Sequence, residues 1–253
     1  MIIPSHTITF IDSAYPKPHN IEEFVWSGRL DKHGQLWFDL HLRSASYYLS
    51  EGEDYLDDID EDELDDEEEY TSLVDWQSRI VWDNYHRCTL SSTFWSDEKG
   101  ILLSSGEVPF DFDNFITHQF NLDTAPQINH SDDDDEDEPT EISAFSIYLL
   151  GHDECKNHQI HFQRQQDNTY HINWSGKIAL TYGGFDEFIH QFIARLENIS
   201  FDGFYFPKSW DLDKATVEFK KVLSHFEHYK FTSINPKSQI KQWKLSYIGE
   251  TQP

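Results

Sequence analysis

The stretch FVWSGRLDKHGQLWFDLHL, residues 24–42, indicates the fold most clearly. In each of its arms, Phe24–Leu30 and Gln35–Leu42, apolar and polar residues alternate, which is typical of a strand with one buried face. The polar segment 31–34 between the arms ends in Gly34, as expected for a tight turn. The sequence therefore predicts a β-hairpin and, with it, an antiparallel sheet.

Further runs along the chain have strand composition, and turn residues separate them. A first strand ends before Pro16, and Ser175–Gly176 is predicted to be a tight turn between two others. The remaining predicted strands are Arg87–Trp95, Gly100–Ser104, Ala144–Leu150, His158–Arg164, Tyr170–Trp174, Lys177–Tyr182, Asn198–Pro207 and Ile240–Ile248.

Three segments have helical patterns instead. Leu212–Tyr229 is the clearest, because its apolar residues recur at helical spacing while its lysines can face water. The aromatic segments Pro109–Phe120 and Phe185–Leu196 each follow a glycine break and are also expected to be helices. The predicted fold class is therefore α+β, mainly antiparallel sheet with two to four packed helices.

The second acidic run is predicted to divide the chain into two halves, since GILLSSGEVPFDFDNFITHQF (100–120) before it resembles KIALTYGGFDEFIHQFI (177–193) after it. Each has a predicted strand, a glycine break and an aromatic helix. An internal duplication with two similar halves and a chance similarity both remain open. The predicted organisation is an N-terminal half, 1–126, with an acidic insertion at 51–69, an acidic linker or loop, 127–140, and a C-terminal half, 141–253.

Acidic residues are concentrated in two runs. Between Glu51 and Glu69, 14 of 19 positions are Asp or Glu, and all 7 positions from Asp132 to Glu138 are acidic. Together they supply 21 of the 28 excess negative charges, which leaves the rest of the chain a net charge of only −7. Such concentrated charge attracts basic proteins and repels nucleic acid. We therefore expect a basic protein partner and no direct contact with nucleic acid.

The longer run, in SEGEDYLDDIDEDELDDEEEY (50–70), is the predicted partner-binding segment, because its apolar residues can add packing to charge. Alone, a helix of this composition would suffer like-charge repulsion, and a cationic partner would stabilise it. The alternative is a disordered acidic insertion in a surface loop. The predicted binding residues are Glu53, Asp54, Tyr55, Leu56, Asp57, Asp58, Ile59, Asp60, Glu61, Asp62, Glu63, Asp65, Asp66, Glu67, Glu68, Glu69 and Tyr70.

Metal-ligand residue types occur together in GHDECKNHQIHF, which contains His152, Cys155, His158 and His161. These residues suit Zn²⁺, but their spacing matches no familiar zinc module. His158 and His161 also lie in a predicted strand, where they would point to opposite faces. The favoured interpretation is a set of polar residues on a hairpin, and whether they bind a metal stays open.

Two other clusters are weaker candidates for a metal site. The run 132–138 lacks the spaced ligands and turn glycine of a selective calcium site, so a solvated linker is favoured. His225 and His228 share a face of the last predicted helix, but histidines near a helix C-terminus also interact favourably with its dipole. We therefore predict no metal and no cofactor.

Known catalytic motifs are absent from the sequence: it contains no GxSxG, HExxH, Walker A or strand-following GxGxxG pattern. The N-terminus has no signal-peptide pattern, and no apolar run is long enough to span a bilayer. Cys88 and Cys155 lack CxxC spacing, so two reduced thiols are favoured over a disulfide. These features predict a non-enzymatic cytoplasmic protein without a membrane partner.

The second half carries a resemblance over Tyr170–Tyr229. The order WSGKIAL, an aromatic segment with DEF, ISFDGFYFP and a final Lys-rich helix resembles bacterial polymorphic-toxin immunity proteins. The resemblance implies a small acidic α+β protein that neutralises a toxin. It assigns no role to any individual residue.

Charge and resemblance lead to one functional hypothesis with two alternatives. The hypothesis is an immunity protein that inhibits a cationic, nuclease-type toxin by electrostatic steering and occlusion. The first alternative is a regulatory or structural protein that binds a basic nucleic-acid-binding factor. The second is an enzyme with an unrecognised site, which would require a pocket of convergent titratable residues.

Overall fold

The hairpin predicted at residues 24–42 is present as two neighbouring strands, β2 (His19–Leu30) and β3 (Leu36–Ser44). Leu30 pairs with Leu36, and the turn is closed by a hydrogen bond from the Gly34 amide to the Asp31 carbonyl at 3.1 Å. The structure, a computed structural model, describes residues 4–15, 17–46, 76, 82, 87–93, 99–124, 143–237 and 242–249. The predicted binding segment 53–70 lies outside these described residues.

The described residues form thirteen strands and one α-helix, α1 (Leu212–Val222). Two short 3₁₀ helices cover Thr181–Gly183 and Phe226–His228. The other strands are β1 (Thr7–Ile11), β4 (Thr89–Ser91), β5 (Ile101–Ser104), β6 (Thr117–Leu122), β7 (Ser146–Tyr148), β8 (His152–Arg164), β9 (Tyr170–Ala179), β10 (His190–Ile199), β11 (Phe204–Tyr205), β12 (Tyr229–Ser233) and β13 (Trp243–Tyr247).

Eight of these strands close into an antiparallel barrel. Their order around the barrel is β1, β2, β3, β4, β7, β8, β9 and β10, and β10 pairs with β1 to complete the circle. Strands β1–β4 precede the segment 127–140 and strands β7–β10 follow it, so the barrel is built from both predicted halves. The predicted α+β class is wrong, because the described chain is mostly β-strand and has a single α-helix.

The barrel interior is filled by the inward-facing residues of alternating strand positions, as expected for a barrel of eight strands. Aromatic side chains dominate this core, and the Trp26 and Tyr170 rings meet edge to face with their centroids 4.8 Å apart. The largest fully buried side chains on barrel strands include Trp26, Phe38, Phe162, Tyr170, Trp174 and Phe192. The aromatic-rich composition is therefore used for packing inside the barrel.

A small side sheet extends from β2. Strand β11 pairs with β2 in parallel, and β13 and β12 continue the sheet outward. Helix α1 covers this sheet with Phe219, whose ring centroid lies 6.3 Å from those of Phe204 and Phe231. Two further strands are not part of the closed barrel but pair with barrel strands. Strand β5 pairs with β3, and β6 pairs with β8.

Two of the predicted helices are wrong. Segment Phe185–Leu196 contains most of β10, whose Phe192, Ala194 and Leu196 are buried at alternate positions, the period of a strand. Segment Pro109–Phe120 is a loop that leads into β6. Its Phe112 and Phe115 are buried against Trp26 in the aromatic core, so tertiary packing determines its conformation.

The turn predicted at Ser175–Gly176 is also wrong, because β9 continues through it. Gly176 instead makes room inside the barrel: a β-carbon there would lie 2.7 Å from the Phe192 ring and 2.9 Å from Nδ1 of His158. The two segments compared as a duplication also differ in pairing. Strands β9 and β10 pair with each other, whereas β5 and β6 pair with β3 and β8.

Candidate functional sites

Each acidic segment lies in a long connection between two strands. Hydrogen bonds hold the described residues at the ends of each connection. In the β3–β4 connection, the Ser44 amide donates to the Cys88 carbonyl and the Cys88 amide donates to Ser44 Oγ, both at 2.9 Å. In the β6–β7 connection, the Ala144 amide donates to Oδ2 of Asp123 at 2.9 Å. Because adjacent antiparallel strands can be joined by about 2–5 residues, the first insertion is not needed to close the barrel.

The described ends of both connections lie near Cys155, a buried residue of β8. Its Sγ donates to the Phe145 carbonyl at 3.4 Å, next to the described end of the second connection. Burial raises the pKa of Cys155, and the nearby charges of Asp123 and Cys88 add to this effect. Cys88 and Cys155 are both buried and free. The described residues that flank the two acidic segments therefore lie on neighbouring parts of the barrel.

The four residues considered as zinc ligands, His152, Cys155, His158 and His161, do not come together around one point. All lie on β8, where Cys155 and His158 are buried and His152 and His161 lie on the outer face. The prediction that His158 and His161 point to opposite faces is confirmed. However, His158 is a buried barrel residue and not an exposed residue of a hairpin turn.

His158 is held as a neutral imidazole. Trp174 Nε1 donates to its Nδ1 at 3.2 Å, which places the proton of the neutral ring on Nε2. That Nε2 lies 3.7 Å from Oδ2 of Asp123, beyond hydrogen-bonding distance, and has no other partner among the described residues. Burial lowers the pKa of His158 to about 3. His158 is therefore an uncharged packing residue of the barrel core.

A cleft of about 640 Å³ opens where the side sheet meets the end of the barrel. It lies between the 105–116 loop, the turn after β8 and the end of β13. Its walls are both polar and aromatic. The lining residues are Phe112, Asp113, Arg164, Asp167, Asn168, Ser200, Phe201, Tyr247, Ile248 and Gly249.

Two neighbouring side chains hydrogen-bond to the carboxylate of Asp113 in this cleft. The Tyr247 hydroxyl donates to its Oδ1, and Nδ1 of His228 lies 2.8 Å from its Oδ2. Partial burial favours the protonated acid, but the hydrogen bonds from Tyr247 and His228 and the charges of His228 and His225 outweigh it and lower the pKa of Asp113. Burial and the hydrogen bond to Asp113 raise the pKa of Tyr247 to about 12. The pair is thus a fixed carboxylate and a neutral phenol.

Arg164 fixes the loop that carries Asp113. Its NH1 and NH2 donate to the carbonyls of Asp113 and Phe112 at 3.0 and 3.1 Å, and its Nε donates to the Tyr170 hydroxyl at 2.8 Å. The guanidinium also lies 5.6 Å from the centre of the Tyr247 ring. Since both terminal nitrogens of Arg164 donate to backbone carbonyls of the loop, this residue acts mainly as a clamp on the loop.

The histidine pair His225 and His228 lies behind the cleft wall, where His228 contacts the lining residue Asp113. Helix α1 ends at Val222, earlier than the predicted Tyr229, and His225 adopts a left-handed backbone conformation with φ 51°. The His225 and His228 rings then stack with their centroids 5.4 Å apart. Asp111, Asp113 and His225 bring three ligand atoms within 4.8 Å of one another.

Sequence reasoning missed Asp111 and Asp113, because it assigned their segment to a helix. The alternating FDFDN pattern after Gly106 and Pro109 was the available signal, since its aromatic residues Phe110 and Phe112 pack in the core and alternate with two acidic residues. No family model matches this chain, and no curated protein or solved structure shows significant similarity to it. Among the residues that the structure describes, no helix is long and apolar enough to cross a membrane.

Proposed function

We propose that this chain is a non-enzymatic binding protein that captures a basic macromolecule with its two acidic segments. The observation that carries the proposal is the concentration of 21 of 28 excess negative charges in residues 51–69 and 132–138. A cationic nuclease-type toxin is the favoured partner, and the chain would act as its immunity protein. Such a partner has a basic nucleic-acid cleft that clustered carboxylates can occupy.

The barrel supports this proposal by the placement of the described residues that flank the two segments. The flanking residues Ser44, Cys88, Asp123 and Ala144 lie on neighbouring parts of the barrel near Cys155. Opposite charges steer association and increase its rate, whereas packing at the contact determines how long the complex lasts. Tyr55, Leu56, Ile59 and Tyr70 would supply that packing.

The titratable groups of the described residues also favour binding over nucleophilic catalysis. Burial raises the pKa values of Cys88 and Cys155, which keeps both thiols protonated and unreactive. Asp113 is ionised and already accepts hydrogen bonds from Tyr247 and His228. Arg164 donates to backbone carbonyls of the cleft loop.

The test is capture of partners from the source cell by the immobilised full chain, at low and high salt, followed by mass spectrometry. A parallel column carries a chain with the acidic residues of 51–69 and 132–138 changed to Asn and Gln. We expect basic proteins that bind only the unmodified chain and elute with salt. Nuclease activity that the added chain inhibits supports the immunity role, whereas a basic protein without such activity supports the regulatory alternative. Identical capture by both columns contradicts the proposal.

A further inference from the structure

We propose that Asp111, Asp113 and His225 bind one divalent transition-metal ion at the edge of the cleft. These residues lie outside the acidic segments. The metal site therefore does not depend on the proposed function. The three residues come from two segments far apart in sequence. Their ligand atoms nevertheless lie within 4.8 Å of one another.

Backbone pairing brings the two segments together. Phe110 forms an isolated parallel bridge with Leu223. The Phe110 amide donates to the Val222 carbonyl at 2.7 Å, and the Ser224 amide donates to the Phe110 carbonyl at 2.9 Å. The residues that follow these bonded positions, Asp111 and His225, are therefore held close together. Their juxtaposition belongs to the fold and does not rely on flexible side chains alone.

Neighbouring groups already orient both carboxylates. The Asn114 amide and its Nδ2 donate to Asp111 at 3.2 and 2.7 Å. Asp113 is held by the Tyr247 hydroxyl and by His228 at 2.8 Å. Each carboxylate oxygen can accept more than one interaction, so these bonds leave coordination sites available. Hydrogen bonds of this kind are what orients the ligands of protein metal sites.

A buried, unpartnered hydroxyl beside the cluster independently points to a ligand. Tyr229 is only 7% exposed, and its hydroxyl has no hydrogen-bond partner among the described residues. The Tyr229 ring lies 5.4 Å from the ring of Tyr247, whose hydroxyl donates to Asp113, so Tyr229 is packed beside the residue that holds this carboxylate. A buried hydroxyl without a partner is unfavourable, because it has lost its hydrogen bonds to water. A water molecule bound to the metal would supply the missing partner.

The donor set indicates the class of ion. Two carboxylates and one imidazole give a charge of −2 and mixed oxygen and nitrogen ligands, which suit Zn²⁺ or Mn²⁺ better than Ca²⁺. Zinc ligands lie about 2.0–2.2 Å from the ion, so the ligand atoms around a tetrahedral ion lie about 3.3–3.6 Å from one another. The His225 side chain is 51% exposed and its Nδ1 lies 3.7 Å from Oε1 of Glu227, so metal binding would turn the imidazole from Glu227 toward the two carboxylates.

The test is isothermal titration of the EDTA-treated full chain with ZnCl₂ and, separately, MnCl₂. Because the acidic segments bind divalent ions loosely, the chain with both segments neutralised is titrated as well. We expect one stoichiometric site that persists in this neutralised chain. His225→Asn and Asp111→Asn should each weaken the site by more than about tenfold. Asn is chosen at 225 because it tolerates a left-handed backbone.

His33→Ala and Asp186→Asn serve as matched controls, since both residues are exposed and lie outside the cluster. They should leave the stoichiometric site unchanged. A second readout is the visible absorption of bound Co²⁺, which should change in His225→Asn because a nitrogen ligand is lost. Equal affinities in the cluster and control variants overturn the proposal. So does loss of all stoichiometric binding when only the acidic segments are neutralised.

Discussion

Inside the barrel, the indole Nε1 of Trp174 donates a hydrogen bond to Nδ1 of His158 at 3.2 Å. Burial lowers the pKa of this imidazole to about 3 from its ordinary 6.5. Between these pH values the unfolded chain binds one more proton than the folded chain. The contribution of His158 to stability is therefore lost as the pH falls, at about 1.4 kcal/mol per pH unit.

Substitution of this histidine should change the pH dependence of stability. We expect His158→Gln, whose amide oxygen can accept from Trp174, to lose less unfolding free energy than the natural chain between pH 6 and pH 4. Urea unfolding followed by tryptophan fluorescence at a series of pH values gives this comparison. The difference between the two chains isolates His158 from the many carboxylates. Parallel pH profiles would show that the imidazole is not held neutral in the fold.

A side chain at Gly176 should destabilise the barrel. The space that a β-carbon would need is taken by the Phe192 ring at 2.7 Å and by His158 at 2.9 Å. Gly176→Ala is expected to lower the unfolding free energy by about 1–3 kcal/mol. Gly183→Ala is the matched control, since the nearest atom to a β-carbon there is 3.5 Å away. Thermal unfolding of both variants makes the comparison, and equal melting temperatures would count against the packing described here.

Arg164 should stabilise the 105–116 loop through its bonds to the Phe112 and Asp113 carbonyls. Arg164→Gln is expected to cost about 2 kcal/mol and to speed hydrogen exchange of the Phe115 amide. Arg195→Gln is the control, because that side chain is 43% exposed and its ion pair with Glu197 is worth little. Unchanged exchange in Arg164→Gln would mean that the loop is held by aromatic packing alone.

The acidic segment 51–69 should act mainly on the rate of association. Neutralising Asp60, Glu61, Asp62 and Glu63 with Asn and Gln is expected to slow binding of the basic partner more than it speeds dissociation. Neutralising the exposed residues Asp12, Glu107, Asp186 and Glu187 removes the same charge elsewhere and should have a smaller effect. Stopped-flow kinetics at several salt concentrations measures both. An association rate that is unaffected by the segment and by salt argues against steering.

The parts of this fold that local sequence determines were predictable. The hairpin of β2 and β3 follows from alternation and from a turn ending in Gly34, both of which are local. Strand β10 was mistaken for a helix because its aromatic and charged residues fit a period of 3.6 over a short window. Its real period becomes evident only when β1 and β9 pair with it from distant parts of the chain.

The cleft was less predictable than the barrel for the same reason. The proximity of His225 and His228 could be seen in the sequence, and the structure brings their rings into contact. Asp111 and Asp113 join them only through the bridge between Phe110 and Leu223. No spacing rule anticipates such a bridge, because it depends on where α1 ends and how the 105–116 loop packs. The acidic segments were evident from composition alone.

We propose above that the clustered carboxylates bind a positively charged protein. The most direct measurement is the dissociation constant of the captured basic partner for the natural chain and for a chain in which residues 51–69 and 132–138 are replaced by Gly-Ser linkers of equal length. We expect that binding is lost in the replaced chain while the melting temperature of the barrel is retained. Equal dissociation constants for the two chains would contradict it.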